Sequence, residues 1–185
     1  APGLPATTLA PSCYSYMLNG CKKLTTPPVL PATKLADYCY NSMFTGCTSL
    51  TTPPVLPATT LASGCYQGML EGCTKLTTAP TLPSTTLASS CYSGMFRLCT
   101  SLYKLPSLPA TTLADNCYKD MFSGCTNIKI ATVKTGAYQT AYRVPKTGTG
   151  VTATGALTDM FVGTGGTFVG TPTINTTYYT ENTIV

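Results

Sequence analysis

The chain has 185 residues, with 11 Lys and Arg against 6 Asp and Glu, no His and no Trp, and charged residues make up only 9%. That length suits one domain or one domain with a cap, and 43% hydrophobic residues are too many, too evenly spread, for a disordered chain. Without His, and with few carboxylates, acid–base and metal chemistry lose their commonest groups, which argues against an enzyme. The net charge of +5, with Lys22-Lys23 as the only adjacent basic pair, forms no basic stripe for nucleic acid.

The opening APGLPATTLA has neither a basic n-region nor an apolar h-region, so it does not read as a signal peptide. No stretch approaches the ~20 apolar residues of a membrane span. LPATT, LPATK and LPSTT look like sortase sorting signals, but they are internal, recurrent and lack the final Gly and hydrophobic tail.

Self-similarity organises the rest. LPATTLA or a close variant begins at Leu4, Leu30, Leu56, Leu82 and Leu108, a constant step of 26 residues. Five repeats therefore occupy 4–29, 30–55, 56–81, 82–107 and 108–133, within a segment 1–133. Ala1-Pro2-Gly3 before Leu4 matches Ala79-Pro80-Thr81 before Leu82, so the chain reads as opening in mid-repeat, as part of a longer chain or assembly. Residues 134–185 read as a degenerate sixth repeat and C-terminal cap: Val144-Pro145 replaces Leu-Pro, and 157–163 parallels 117–124 with the cysteines lost. An atypical last unit suits an outer face that meets water.

Within a repeat, Leu35, Cys39, Met43 and Cys47 recur every four residues, with Ala36, Tyr40 and Phe44 one position behind. This spacing predicts an amphipathic helix, N-capped near Thr33 and ended near Gly46. Leu50-Thr51-Thr52 predicts a short strand, closed by Pro53-Pro54. One helix and one strand cannot bury their apolar faces alone, so neighbouring repeats must stack.

The ten cysteines are Cys13, Cys21, Cys39, Cys47, Cys65, Cys73, Cys91, Cys99, Cys117 and Cys125. Two positions eight apart on a helix lie ~12 Å apart, and equivalent positions on neighbouring helices ~8–10 Å apart, both beyond the reach of a disulfide. Ten reduced, buried thiols are expected, with no metal and no cofactor, because neither His nor CxxC occurs.

CYNSMFTGCTSLTTPP, CYQGMLEGCTKLTTAP and CYSGMFRLCTSL resemble the BspA-like class of leucine-rich repeats, whose core is A/M-F-x-G-C-x-S-L followed by a strand and a Pro. The resemblance covers 4–133 strongly and 144–175 weakly. A longer helix and a Pro-rich strand end are its departures. It implies surface proteins of mouth and gut bacteria, often adhesins, with similar arrays in gut phage and prophage. The fold expected is a right-handed α/β leucine-rich-repeat solenoid with one short parallel strand and one helix per repeat and a C-terminal cap.

Few residues stand out as sites. The two positions after the last repeat Leu are Thr-Thr in three repeats but Tyr103-Lys104 and Lys129-Ile130 in the next two. Tyr103, Lys104 and Lys129, with Arg97 near the edge, form the candidate ligand patch, where a Tyr and cations suit a sugar or an acidic group. Repeat drift and a merely soluble Thr surface are the plainer readings. The Tyr and Met columns read as core, whereas Tyr16 and Tyr38 are off-column and expected to be exposed. Gly148–Ala153 matches a GxGxxA pattern without the surrounding unit that would support nucleotide binding. Asp115 and Asp120 fall ~140° apart on a helix, and Asn175-Thr176-Thr177 is an acceptor pattern for N-glycosylation. No catalytic residue is expected. The sequence reads as a non-catalytic extracellular recognition module at a cell or virion surface, binding a host protein or surface glycan. A passive stalk is the alternative.

Overall fold

No helix forms among the described residues, which in this computed structural model are 3–185. The match made by Ala1-Pro2 lies outside them. The expected leucine-rich-repeat solenoid, with a helix and a strand in each repeat, is therefore corrected. The only strands among the described residues are β1 (Ile130–Ala131), β2 (Thr140–Arg143) and β3 (Thr177–Thr180). They form one antiparallel sheet in the order β1-β3-β2, with Ile130 opposite Thr180 and Tyr142 opposite Tyr178.

In place of each helix stands a row of overlapping β-turns. The rows occupy 10–21, 36–47, 62–73, 88–99, 114–125 and 153–164. In the first row the N–H groups of Cys13, Ser15, Met17, Asn19 and Cys21 each donate to the carbonyl three residues back, at 3.0–3.3 Å. The alternate N–H groups of Ser12, Tyr14, Tyr16, Leu18 and Gly20 point out of the row. They donate to Asp37, Cys39, Asn41, Met43 and Thr45 of the second row at 2.8–3.0 Å. The pattern recurs at every junction up to Asn116–Gly124, which donate to the sixth row. Each row thus divides its backbone groups between local turns and the neighbour, which meets the requirement that buried amides be paired.

The reason is visible in the backbone angles. Every fourth residue of a row has positive φ: Tyr38, Ser42 and Gly46 at 54°, 50° and 71°, and Gly64, Gly68 and Gly72 at 55°, 59° and 69°. That is the left-handed region that the third position of a type II turn needs, and an α-helix cannot pass through it. A side chain there costs about 1–2 kcal/mol, so Gly, Asn, Asp and Ser fill most of these positions. The turn path returns the side chains with a strict period of four. Cys39-Tyr40 and Met43-Phe44 point inward and are at most 1% exposed, while Asn41-Ser42 and Thr45-Gly46 point outward. A helix would drift ~40° at each four-residue step. From Leu35 to Cys47 that accumulates to ~120°, so the apolar stripe would leave the core.

The expected parallel strand after the repeat Leu is also absent among the described residues, and in the fifth repeat that position enters the antiparallel β1 instead. Only isolated parallel bridges form, such as Thr78 with Lys104 and Thr86 with Thr112. Pro27-Pro28, Pro53-Pro54, Pro80 and Pro106 have no N–H to continue a ladder.

Stacking places equivalent residues in columns. Tyr14, Tyr40, Tyr66, Tyr92 and Tyr118 stack with centroids 5.7–5.9 Å apart and rings within 10° of parallel. Phe96, Phe122 and Phe161 continue a second column into the sixth row. Each fully buried side chain of this size contributes about 1.5–3 kcal/mol. The six that a row such as 36–47 and its following Leu50 bury outweigh its three left-handed residues. Past the sixth row, Tyr142 and Phe168 pack edge-on to Phe161, and Phe168 meets Tyr178 of β3 at 4.7 Å. Arg143 ties this end together, donating to the carbonyls of Asn175 and Pro145 and to Asn175 Oδ1.

Far-ultraviolet circular dichroism of the native chain should therefore lack the helical double minimum. Gly94 has φ +59° and open space where a Cβ would stand. Gly94→Val should lower stability by about 1–2 kcal/mol in chemical denaturation, and Gly94→Asn by much less. On a helix, where Gly is the poorest former after Pro, both changes would stabilise.

Candidate functional site

The rows leave two outward columns of side chains running across the stack. The middle left-handed positions form one column: Tyr16, Ser42, Gly68, Gly94 and Asp120. The positions three residues later include Glu71 and Arg97. Between them lies a polar trough of about 220 Å³, lined also by Asn41, Gln67 and Ser93. Gly68 and Gly94 carry no side chain, and this makes the depression at its centre. Arg97 Nη1 donates to Glu71 Oε1 at 3.2 Å across one junction. Both groups are partly exposed, so the pair contributes at most about 1 kcal/mol and can exchange its partner for a ligand.

Tyr16 is the anomaly. It holds φ 58° yet is 60% exposed. Three other bulky or amide side chains at left-handed positions each cover a glycine of the next row: Tyr38 over Gly64, Leu98 over Gly124 and Asn116 over Gly155. Tyr16 is followed by Ser42 instead, and its ring stands at one end of the trough.

The candidate patch of Tyr103, Lys104, Lys129 and Arg97 is divided by the structure. Tyr103 and Lys104 are half-buried neighbours, the ammonium 6.0 Å from the ring centroid. Lys129 serves the C-terminal region: its Nζ donates to the carbonyls of Thr126 and Gly165, each at 3.2 Å. Arg97 belongs to the trough, which includes neither Tyr103 nor Lys104. Asp115 and Asp120 also have separate roles. Asp115 Oδ1 accepts the Thr154 N–H at 3.0 Å, as Asp37 accepts that of Ser63, while Asp120 lines the trough. Asn175 of the glycosylation pattern uses its amide nitrogen to donate to the Gly150 carbonyl at 2.9 Å, and its Oδ1 accepts the Gly150 N–H. That engagement also occupies the backbone of the GxGxxA segment.

Sequence reasoning passed over Asn41, Gln67 and Glu71 as outward polar positions and weighed Asp120 only against Asp115. The signal available was Gly64, Gly68 and Gly72 at four-residue spacing, each costing a helix about 1 kcal/mol.

All ten cysteines are free, but only eight are buried; Cys13 and Cys21 are exposed. The spacing argument for free thiols needs replacing as well. Hydrogen-bonded rows lie ~4.8 Å apart, within the Cα range of a disulfide. In-register side chains keep their Cβ atoms at that same spacing, outside the usual ~3.5–4.5 Å. The second cysteine of each later repeat also has an acceptor: Cys47, Cys73, Cys99 and Cys125 donate S–H to the carbonyls of Leu18, Phe44, Leu70 and Phe96 at 2.9–3.3 Å. Burial pushes the thiols up from their ordinary 9.0, Cys39 to about 11 and Cys65 to about 12. Among the described residues, no three metal-ligating side chains come together.

Comparison of the chain with protein-family models, curated proteins and solved structures finds no match.

Iodoacetamide should modify Cys13 and Cys21 of the native chain and spare the other eight until unfolding, as counted by mass spectrometry. Alkali should destabilise the fold. Below pH 9 the thiols are protonated in both states. Above it the unfolded thiols ionise while Cys39 and Cys65 keep their protons to about 11 and 12, so the unfolded state binds fewer protons and stability falls as pH rises through that window. A melting midpoint that rises from pH 9 to 11 would contradict the buried columns.

Proposed function

We propose that the chain is a non-catalytic recognition module that binds a glycan along the polar trough. Tyr16 carries this reading. A tyrosine held at φ 58° and 60% exposed costs about 1–2 kcal/mol without the burial that would offset it, and such uncompensated strain points to a binding role. An aromatic face beside mixed donors and acceptors suits a polyhydroxylated chain. Asn41, Gln67, Glu71, Arg97 and Asp120 offer both kinds of group, and the trough crosses four junctions, or about 19 Å at strand spacing. The sequence resemblance to BspA-like surface proteins supports an extracellular setting, on a cell or a virion, with host material as the partner. The scarcity of carboxylates and the lack of His support binding without chemistry.

A passive stalk is the second reading, favoured by the uninterrupted ladder of identical junctions. A glycan array separates the two. Saturable binding is expected, lost at least tenfold in Tyr16→Gly even though that change relieves the left-handed strain and should raise stability by about 1 kcal/mol. Gly94→Asn, which fills the trough floor while tolerating the left-handed φ, should also abolish binding. A folded chain that binds nothing on the array would leave the stalk reading standing, and binding untouched by either substitution would place the site elsewhere.

A further inference from the structure

Resting on the glycan reading of the trough, we infer that the glycan it takes is cationic, an oligosaccharide of amino sugars with free ammonium groups. The charged groups lining the trough are the carboxylates of Glu71 and Asp120 and the guanidinium of Arg97. The trough is therefore net negative on a chain whose net charge is +5, so overall composition does not account for its sign. These three groups belong to the third, fourth and fifth rows, each of which has a hydrogen-bonded row on both sides.

Glu71 and Arg97 form the one ion pair among the described residues, through Glu71 Oε1. The second oxygen, Oε2, stands over the glycine floor, 3.6 Å from where a Cβ on Gly68 would lie. One row on, the same point above Gly94 has nothing within 4 Å. Asp120 follows in the next row of that column. The open space above Gly94 is thus bracketed by a carboxylate on either side, while Arg97 is turned back to the earlier row by its bond to Glu71.

The fold does not explain the charge of Asp120. Asp37 and Asp115 each accept a backbone N–H of the next row, from Ser63 and Thr154. Among the described residues the Asp120 carboxylate has no such partner, and Lys119 beside it neither pairs with it nor lines the trough. Its φ of 54° is met as well by Asn or Gly, and Gly68 and Gly94 hold the equivalent positions. An ammonium seated over Gly94 donates on several sides and makes charge-assisted hydrogen bonds to the carboxylates that flank it. A carboxylated sugar must instead displace Glu71 from Arg97 and face Asp120, and a neutral sugar gains nothing from the charge.

The test is calorimetric titration of the full chain with chitosan, chitin and galacturonan tetrasaccharides, which carry ammonium, acetamido and carboxylate groups. Chitosan should bind about fivefold more tightly than chitin, the upper end for one exposed ion pair, and galacturonan most weakly. Asp120→Asn keeps a residue that tolerates the left-handed φ and should remove that advantage, as should added salt. Glu181→Gln, an equal change in net charge at an exposed carboxylate outside the trough, should leave it intact. Equal affinity for chitosan and chitin, a preference for galacturonan, or an advantage that survives Asp120→Asn or is lost equally in Glu181→Gln overturns the inference and leaves the glycan reading in place. A chain that binds none of the three overturns it as well. The glycan array then decides the wider reading, which survives on a saturable hit to an amine-free glycan and falls with a blank array.

Discussion

Every second amide of a row is committed to the neighbouring row, and the rest of the structure depends on that commitment. Turning alternate N–H groups sideways requires a left-handed residue at every fourth position, and this in turn makes the side chains alternate two inward and two outward. The inward pairs stack into columns of identical residues, and the columns demand a repeat of constant length along the row. An insertion is tolerated only between rows. The sixth row shows this: its hydrogen-bond partners lie 38 residues beyond their donors, Asn116 to Thr154, where the other junctions use 25, as from Ser12 to Asp37, yet Phe122 still stacks on Phe161 at 5.7 Å.

The same commitment gives the molecule a direction. Donors face one end and acceptors the other, so the two ends cannot be closed by the same device. At the donor end, Gly170 and Thr171 meet the outward N–H groups while Phe168, Tyr142 and Tyr178 cover the Phe column. At the acceptor end the Tyr column stops at Tyr14, half-buried, with a row of carbonyls beside it. Each of the four later equivalents of Cys21 donates its S–H to a carbonyl of the row before it, so the thiols too have a fixed direction, opposite to that of the amides.

The trough follows from the outward pairs. Columns of equivalent positions put residues 26 apart in sequence next to one another, so Glu71 meets Arg97 and Ser42 stands against Gly68. The surface can then be varied one repeat at a time without disturbing the core. Tyr16 exploits that freedom at the expense of backbone strain, whereas Tyr38 and Leu98 at similar φ are explained by the glycines they cover. The strain at Tyr16 could not be seen before the left-handed column was known.

The sequence by itself determined the 26-residue period, the number of repeats, the identity of the inward columns and the degenerate sixth unit, because these are properties of spacing alone. It also carried the clue to the backbone path: the period is four without drift, and glycines recur within the supposed helices. It did not determine the local conformation, because a four-residue apolar spacing is shared by a helix and by a row of alternating turns. Only the tertiary structure chose between them. An isolated row leaves half its amides unpaired, and its left-handed residues are unfavourable, so the row is stable only where another row accepts its hydrogen bonds and buries its inward pairs. The division of the Tyr103, Lys104, Lys129 and Arg97 group was decided at the same level, since which outward column a residue joins depends on that backbone path.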